Sequence, residues 1–202
     1  MIMSMFNTEK IVCVTNRHLA EDFSAQIEKV AKLGVKTIIL REKDLSAKEY
    51  EMLAKQVLAI CKQYGADCVL HSFYETAVTL CEKVQAGECP MKPAGLHLPM
   101  QAFLSLTEEQ KRKFAYLGVS VHSPEEAKEC EQLGASYLTA GHIFATDCKK
   151  GIPPRGISYL KEVCDSVKIP VYAIGGIHEG NMQECLDAGA EKVCMMSNLM
   201  RI

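Results

Sequence analysis

The chain has 202 residues, of which 48% are hydrophobic and 24% are charged, and its formal net charge is −2. These values exclude a disordered or fibrous chain and argue against nucleic acid or an anionic membrane surface as a partner, because both require a basic surface. The apolar runs are too short to cross a bilayer, and the first ten residues lack the pattern of a secretory signal. We therefore expect a cytoplasmic protein.

Ten cysteines are spread through apolar segments of the sequence, and no two of them form a CxxC pair. This distribution predicts free thiols that pack as small hydrophobic side chains in a reducing compartment. It favours neither disulfides nor a zinc site, and we predict no cysteine nucleophile.

Strand-sized apolar segments alternate with amphipathic helical segments along the whole chain. Strands are predicted at residues 11–15, 37–40, 67–71, 95–98, 115–122, 136–140, 171–175 and 192–196. Helices are predicted at residues 22–33, 75–84, 107–112, 124–133, 157–167 and 180–188, with another following residue 46 and a short turn after the last strand.

Two helix starts are marked by capping residues. Ser46 followed by Glu49 has the spacing of a capping box, and Ser123 precedes Pro124, which suits the first position of a helix. Glycines recur in the short links that lead from each helix to the next strand, as expected at helix C-termini.

Eight β/α units in about 200 residues predict a single-domain (β/α)₈ TIM barrel over residues 1–202, with a truncated last helix. The competing fold is a doubly wound open sheet. We favour the barrel because no GxGxxG follows the first strand and because polar groups end many strands, not one switch point.

A barrel enzyme places its site at the carboxyl ends of its strands. Residues 137–157 contain the end of the sixth strand and the Gly/Pro-rich basic loop that follows it, which suits an anionic substrate. Arg41 and Lys43 follow the second strand, and two cations spaced two residues apart could bind a phosphate or carboxylate. They could equally form surface ion pairs with Glu42 or Asp44.

The ends of the last two strands predict a phosphate site. Gly175 and Gly176 follow the seventh strand, and Ser197 and Asn198 follow the eighth, where a short helix could begin. Loops at these two positions commonly hold phosphate in a barrel, and glycine allows backbone N–H groups to approach the anion. The alternative is an ordinary turn at a strand end.

His122 is the predicted catalytic residue. It ends the fifth strand directly before the cap of the next helix, so its ring should lie at the rim, where histidine can move protons near neutral pH. An isolated histidine is more often structural, and this alternative stays open.

Five segments resemble the thiamine phosphate synthase superfamily: LREK, GLHLP, GVSVHSPEEA, the loop of residues 137–157, and PVYAIGGI. The resemblance implies a (β/α)₈ barrel, a small-molecule phosphate ester as partner, and a homodimer. It also implies one of two activities. Thiamine phosphate synthase couples an aminopyrimidine pyrophosphate to a thiazole phosphate with Mg²⁺, whereas the TenI-like thiazole tautomerase aromatises the thiazole phosphate.

Departures from the synthase pattern favour the tautomerase. Ile39 replaces a glutamine, His71 and Ser72 replace an Asn-Asp pair, and residues 99–102 lack the second acid that would bind Mg²⁺. No metal and no cofactor is therefore predicted.

The resemblance also assigns roles to individual residues. His122 matches the tautomerase acid/base histidine, and His142 stands where the synthase has proline. The predicted substrate- and phosphate-binding residues are Arg41, Lys43, Ser120, His142, Lys149, Gly175, Gly176, Ser197 and Asn198. The alternatives are thiamine phosphate synthase and a non-catalytic protein that binds thiazole or thiamine phosphates as a regulator.

Overall fold

Eight parallel strands close into a barrel in which each strand pairs with the next one along the chain. The structure is a computed structural model that describes residues 7–146 and 149–202. The strands are β1 (Ile11–Val14), β2 (Thr37–Leu40), β3 (Asp67–His71), β4 (Gly95–Pro99), β5 (Leu117–Val121), β6 (Tyr137–Gly141), β7 (Val171–Ile174) and β8 (Lys192–Met195). Each lies within two residues of its predicted position, so the barrel prediction is confirmed and the open sheet is wrong.

Helices connect the strands, as the periodicity predicts. They are α1 (Phe23–Lys32), α2 (Ala47–Tyr64), α3 (Tyr74–Gln85), α4 (Met100–Leu104), α5 (Glu108–Arg112), α6 (Pro124–Gln132), α7 (Gly156–Ser166), α8 (Met182–Asp187) and α9 (Ser197–Met200). The four-residue helix α9 is the expected truncated last helix. Helix α4 was not predicted, because five residues without a side-chain cap carry too little periodicity to recognise.

The predicted helix caps are present. Ser46 and Glu49 form the capping box of α2, in which each side chain bonds the other residue's backbone N–H. The Ser123 hydroxyl accepts from the Glu126 N–H at the start of α6, with Pro124 at the first helical position. These contacts satisfy backbone donors that the first turn of a helix leaves without partners.

By its internal contacts the chain divides into two compact units: residues 7–97 with 196–202, and residues 98–195. In the first unit, β2 and β3 pair from Thr37 with Asp67 to Leu40 with Leu70. His71 of β3 pairs with His97 of β4. This register places the carboxyl ends of β2 and β3 side by side, next to His97 of β4.

The second unit contains a stack of three tyrosines. The ring of Tyr137, the first residue of β6, lies 4.7 Å from the ring of Tyr116 and 4.6 Å from that of Tyr172. The two outer hydroxyls are 2.5 Å apart. Gly118 of β5 pairs with Tyr137, so the large ring covers the space that a side chain at Gly118 would occupy.

The nine cysteines in the described ranges are free thiols, and most are buried. Seven of them are buried, as predicted for core thiols, whereas Cys81 and Cys164 are half-buried. Cys148 lies outside the described residues. Within the same ranges, no helix combines the length and the hydropathy needed to cross a bilayer.

Replacing Gly118 with alanine should destabilise the fold by about 1–3 kcal/mol, because the new methyl group overlaps the Tyr137 ring and forces the stack to shift. Urea unfolding of Gly118→Ala measures the loss. Gly180→Ala is the matched control, since its methyl group would meet only the exposed ring of His178. Equal stability of the two variants would contradict the packing argument.

Candidate functional site

A buried carboxylate organises the ends of β1 and β2 in the first unit. Glu42 is 2% exposed and accepts hydrogen bonds from the Thr15 hydroxyl at 2.7 Å and from the Arg17 backbone N–H at 3.0 Å. The Arg17 guanidinium lies 3.3 Å from the same carboxylate. Thr15 in turn accepts from the backbone N–H of Arg41 at 2.9 Å. The segment that carries Arg41 and Lys43 is therefore held from within the core.

Arg17 contacts both Glu42 and Asp44, the acidic residues that the sequence offered as partners for Arg41 and Lys43. Its two terminal nitrogens each lie 2.6 Å from a carboxylate oxygen of Asp44. The hydrogen bonds from Arg17, followed by that from His18, hold the pKa of Asp44 well below its usual range. Sequence reasoning missed this role of Arg17, although its position just after β1 places it at the same end of the strands.

Two buried histidines lie side by side, His71 at the end of β3 and His97 in the middle of β4. The rings of His71 and His97 are stacked with their centroids 5.4 Å apart. Burial, followed by the charges of Lys43 and Arg41, lowers the pKa of His97 to about 3. Burial, then His97, then Lys43 and Arg41 bring the pKa of His71 down to about 2. The two predicted cations thus act electrostatically on a pair of neutral imidazoles.

The end of β3 has an unusual backbone. Ser72 has a φ of 70°, which is uncommon for a residue other than glycine, and its hydroxyl lies 2.7 Å from Nδ1 of His71. The Tyr50 hydroxyl accepts from the His71 N–H at 2.9 Å and donates to the Leu40 carbonyl at 2.6 Å. These contacts fix the polar groups that follow β2 and β3.

The donors at this strand end do not fit Mg²⁺. Mg²⁺ prefers oxygen ligands, usually carboxylates, whereas the end of β3 offers imidazoles and a serine hydroxyl. In the described residues, no three His, Cys, Asp or Glu side chains are grouped in a way that could hold a metal ion.

His122 follows β5 in the second unit and lies at the surface, as predicted, with 49% of its side chain exposed. Oε2 of Glu126 accepts from the His122 backbone N–H at 2.6 Å and lies 3.4 Å from Nδ1 of the ring. Arg155 donates to the His122 carbonyl at 2.7 Å. Two residues earlier, within β5, the Ser120 hydroxyl accepts a hydrogen bond from the Thr139 hydroxyl at 3.2 Å.

The loop after β6 lies across the end of β7. Phe144 donates its backbone N–H to the Gly175 carbonyl at 3.0 Å. His142 is buried, and its Nε2 lies 3.3 Å from the Ile152 carbonyl of the same loop. The His142 ring therefore contacts the loop to which it belongs. Lys149 lies in an exposed turn of this loop, and Asp147 lies outside the described residues.

Gly175 and Gly176 are required by packing as well as by backbone conformation. Their φ values are 104° and 67°, a region that favours glycine. A side chain at Gly175 would overlap His142, and one at Gly176 would overlap the carbonyls of Phe144 and Ala145. Close approach of the loop thus explains both glycines, and a substitution there would not isolate phosphate binding. Ser197 and Asn198 begin α9 in the first unit, half-buried and exposed respectively.

Comparison with known proteins identifies similar sequences over nearly the whole chain. The model of the family described as thiamine monophosphate synthase matches residues 11–199. A putative thiamine-phosphate synthase 2 of Aquifex aeolicus is 35% identical over 93% of this chain and 96% of its own length. Thiamine-phosphate synthase 2 of Streptococcus pneumoniae is 34% identical over 95% of this chain and 88% of its own.

A solved structure is also similar. The thiamine phosphate pyrophosphorylase from Pyrococcus furiosus superposes with a TM-score of 0.77 at 28% identity, covering 97% of this chain and 89% of that one.

The folded protein should lose stability between pH 7 and pH 5. The pKa values of His71 and His97, about 2 and about 3, keep both rings neutral in the fold, whereas histidines in an unfolded chain titrate near 6.5. As the pH falls below about 6.5, protons bind the unfolded state preferentially, at a cost of about 2 kcal/mol per histidine by pH 5. Urea unfolding at the two pH values measures this difference.

Replacing one buried histidine tests whether the pH dependence of stability comes from His71 and His97 or from other titratable groups. His97→Gln should show about half of the wild-type pH dependence, and His71→Gln provides the same test if the first variant does not fold. His178→Gln, which replaces an exposed histidine, should behave as the wild type. A wild-type protein equally stable at both pH values would show that these histidines become charged in the fold.

Proposed function

Because the chain belongs to the thiamine monophosphate synthase family, we propose that it is an enzyme of thiamine biosynthesis that acts on a thiazole phosphate, and that its reaction is a tautomerisation. The substrate is a non-aromatic 2-carboxythiazole phosphate with an exocyclic double bond, and the product is its aromatic tautomer. Family membership supports small phosphate-bearing substrates. The choice between the two reactions rests on the residues of this chain.

The relatives' names favour the other activity. Both curated relatives and the similar solved structure are named for the synthase or pyrophosphorylase, so the comparisons support the synthase alternative better than the tautomerase. One observation supports the tautomerase: the end of β3 presents His71 and Ser72, and residues 99–102 contain no carboxylate. A coupling reaction that depends on Mg²⁺ would lack carboxylate ligands at these positions.

His122 is the proposed acid/base group. In the neutral form, its imidazole accepts the proton that leaves the thiazole ring carbon. The resulting imidazolium returns a proton to the exocyclic carbon, so the reaction moves one proton and consumes none. Aromatisation makes the overall change favourable. A half-exposed side chain directly after a strand can reach a bound substrate, and histidine exchanges protons near neutral pH.

The binding residues remain predictions from the sequence. In the second unit, Lys149 and Gly176 are proposed to hold the phosphate, and in the first unit, Arg41 and Lys43 are proposed to hold an anionic group. His142 contacts its own loop, which supports a role in shaping that loop. The homodimer implied by the resemblance is also a proposal.

Replacing His122 with asparagine should lower the tautomerisation rate by roughly 10²–10⁴-fold, the contribution of one positioned acid/base group. Product affinity, measured by titration calorimetry, should stay near the wild-type value, because Asn retains a polar group of moderate size. His178→Asn is the control and should keep full activity. Normal turnover by His122→Asn would remove His122 from the mechanism. Tight product binding by an inactive wild-type protein would favour the regulator alternative.

The second candidate, thiamine phosphate synthase, is favoured by the relatives' names and by Arg41 and Lys43, which match cations that hold pyrophosphate in the synthase. We expect the protein to form no thiamine phosphate above background when it is given both synthase substrates with Mg²⁺. Tautomerase activity should be unchanged by EDTA. Thiamine phosphate formed at a rate typical of enzymes, and abolished by EDTA, would establish the synthase and reject our choice.

A further inference from the structure

Three titratable or charged side chains surround the His122 segment in the second unit. Glu126 of α6 binds its backbone N–H, and Arg155, just before α7, binds its carbonyl. Tyr159 of α7 donates to the carbonyl of the preceding residue, Val121, at 3.3 Å. The Arg155 guanidinium also lies over the Tyr159 ring, 4.9 Å from its centroid. His122 is thus held at both of its backbone polar groups.

Glu126 occupies a position that usually serves only the helix cap. In a capping box, the third helical residue turns back to bond the N–H of the cap residue. Here, Glu126 reaches one residue further and bonds the N–H of His122 at 2.6 Å, ahead of the cap Ser123. The same oxygen, Oε2, lies 3.4 Å from Nδ1 of the imidazole. One carboxylate oxygen therefore faces both the backbone and the ring of the proposed acid/base residue.

We propose that Glu126 is a positioning residue for His122, which it holds with the proton on Nδ1 so that Nε2 takes and returns the substrate proton. This inference rests on the proposed function. A neutral imidazole has one N–H donor and one acceptor nitrogen, and an ionised carboxylate accepts only. A carboxylate beside Nδ1 therefore selects the tautomer whose basic atom is Nε2, on the opposite side of the ring.

The same carboxylate stabilises the imidazolium that forms during proton transfer, by opposite charge at close range. Arg155 opposes this effect, but its guanidinium is directed to the carbonyl of His122 and to the Tyr159 ring. Burial raises the pKa of Tyr159 to about 12, so this residue adds no charge near neutral pH. Among the described residues, the carboxylate beside the imidazole nitrogen is that of Glu126.

Glu126→Gln separates the positioning role from the capping role. Glutamine also serves in capping boxes, so the backbone contact and the fold should persist. In the full-length wild-type protein, ¹⁵N NMR of the neutral histidine ring should show the proton mainly on Nδ1 of His122, and the variant should lose this preference. Its kcat should fall by about tenfold with KM unchanged. The acidic limb of its pH–rate profile should move to lower pH by about half a unit to one unit.

Glu125→Gln is the matched control, because it removes the same charge one position away in the first turn of α6. It should leave the tautomer, kcat and pH profile unchanged. An identical tautomer and pH profile in Glu126→Gln and the wild type would overturn the proposal and leave Glu126 as a capping residue. If the wild type lacks tautomerase activity, the proposed function fails, and the NMR measurement still decides whether Glu126 orients His122.

Discussion

Parallel pairing in register is the constraint on which the functional groups depend. Neighbouring parallel strands run in the same direction, so the residues that follow them lie at the same end of the sheet. In the first unit, the pairing of Leu40 with Leu70 aligns the ends of β2 and β3, and the pairing of His71 with His97 places the end of β3 beside β4. In the second unit, Ser120 pairs with Thr139 and Gly141 with Ile174. Polar side chains that are far apart in sequence therefore lie close enough to interact.

In each unit, charged side chains bond the backbone next to the proposed functional groups. Glu42 holds the segment of Arg41 from inside the core, while Arg17 and Asp44 pair at the surface. Glu126 of α6 and Arg155, just before α7, hold the backbone of His122. In both cases a charged group bonds backbone as well as side chain. Such contacts restrict the position of a residue at a strand end and leave its side chain outside the core, where a substrate can reach it.

The fold could be predicted from the sequence because apolar strands and capped helices alternate with regular spacing. The rim position of His122 followed from its place between a strand and a helix cap. The environment of His142 could not be predicted, because its ring bonds a carbonyl ten residues ahead in an irregular loop. Gly176 shows a different limit: a turn, an anion and a packed loop can each require glycine, so the residue type alone does not distinguish them. The partners of Arg17 depend on a strand that lies 25 or more residues away.

The tyrosine stack of the second unit gives this protein an intrinsic optical reporter. The chain contains no tryptophan, so its near-ultraviolet absorbance and emission come mainly from its seven tyrosines. Tyr116, Tyr137 and Tyr172 are held in a fixed, closely stacked arrangement, and such coupled rings give strong near-ultraviolet circular dichroism. Tyr50, Tyr64 and Tyr74 lie in the first unit, outside this stack. The dichroic signal should therefore report the packing of this stack, together with that of Tyr50, whose buried ring is stacked on Phe73 in the first unit.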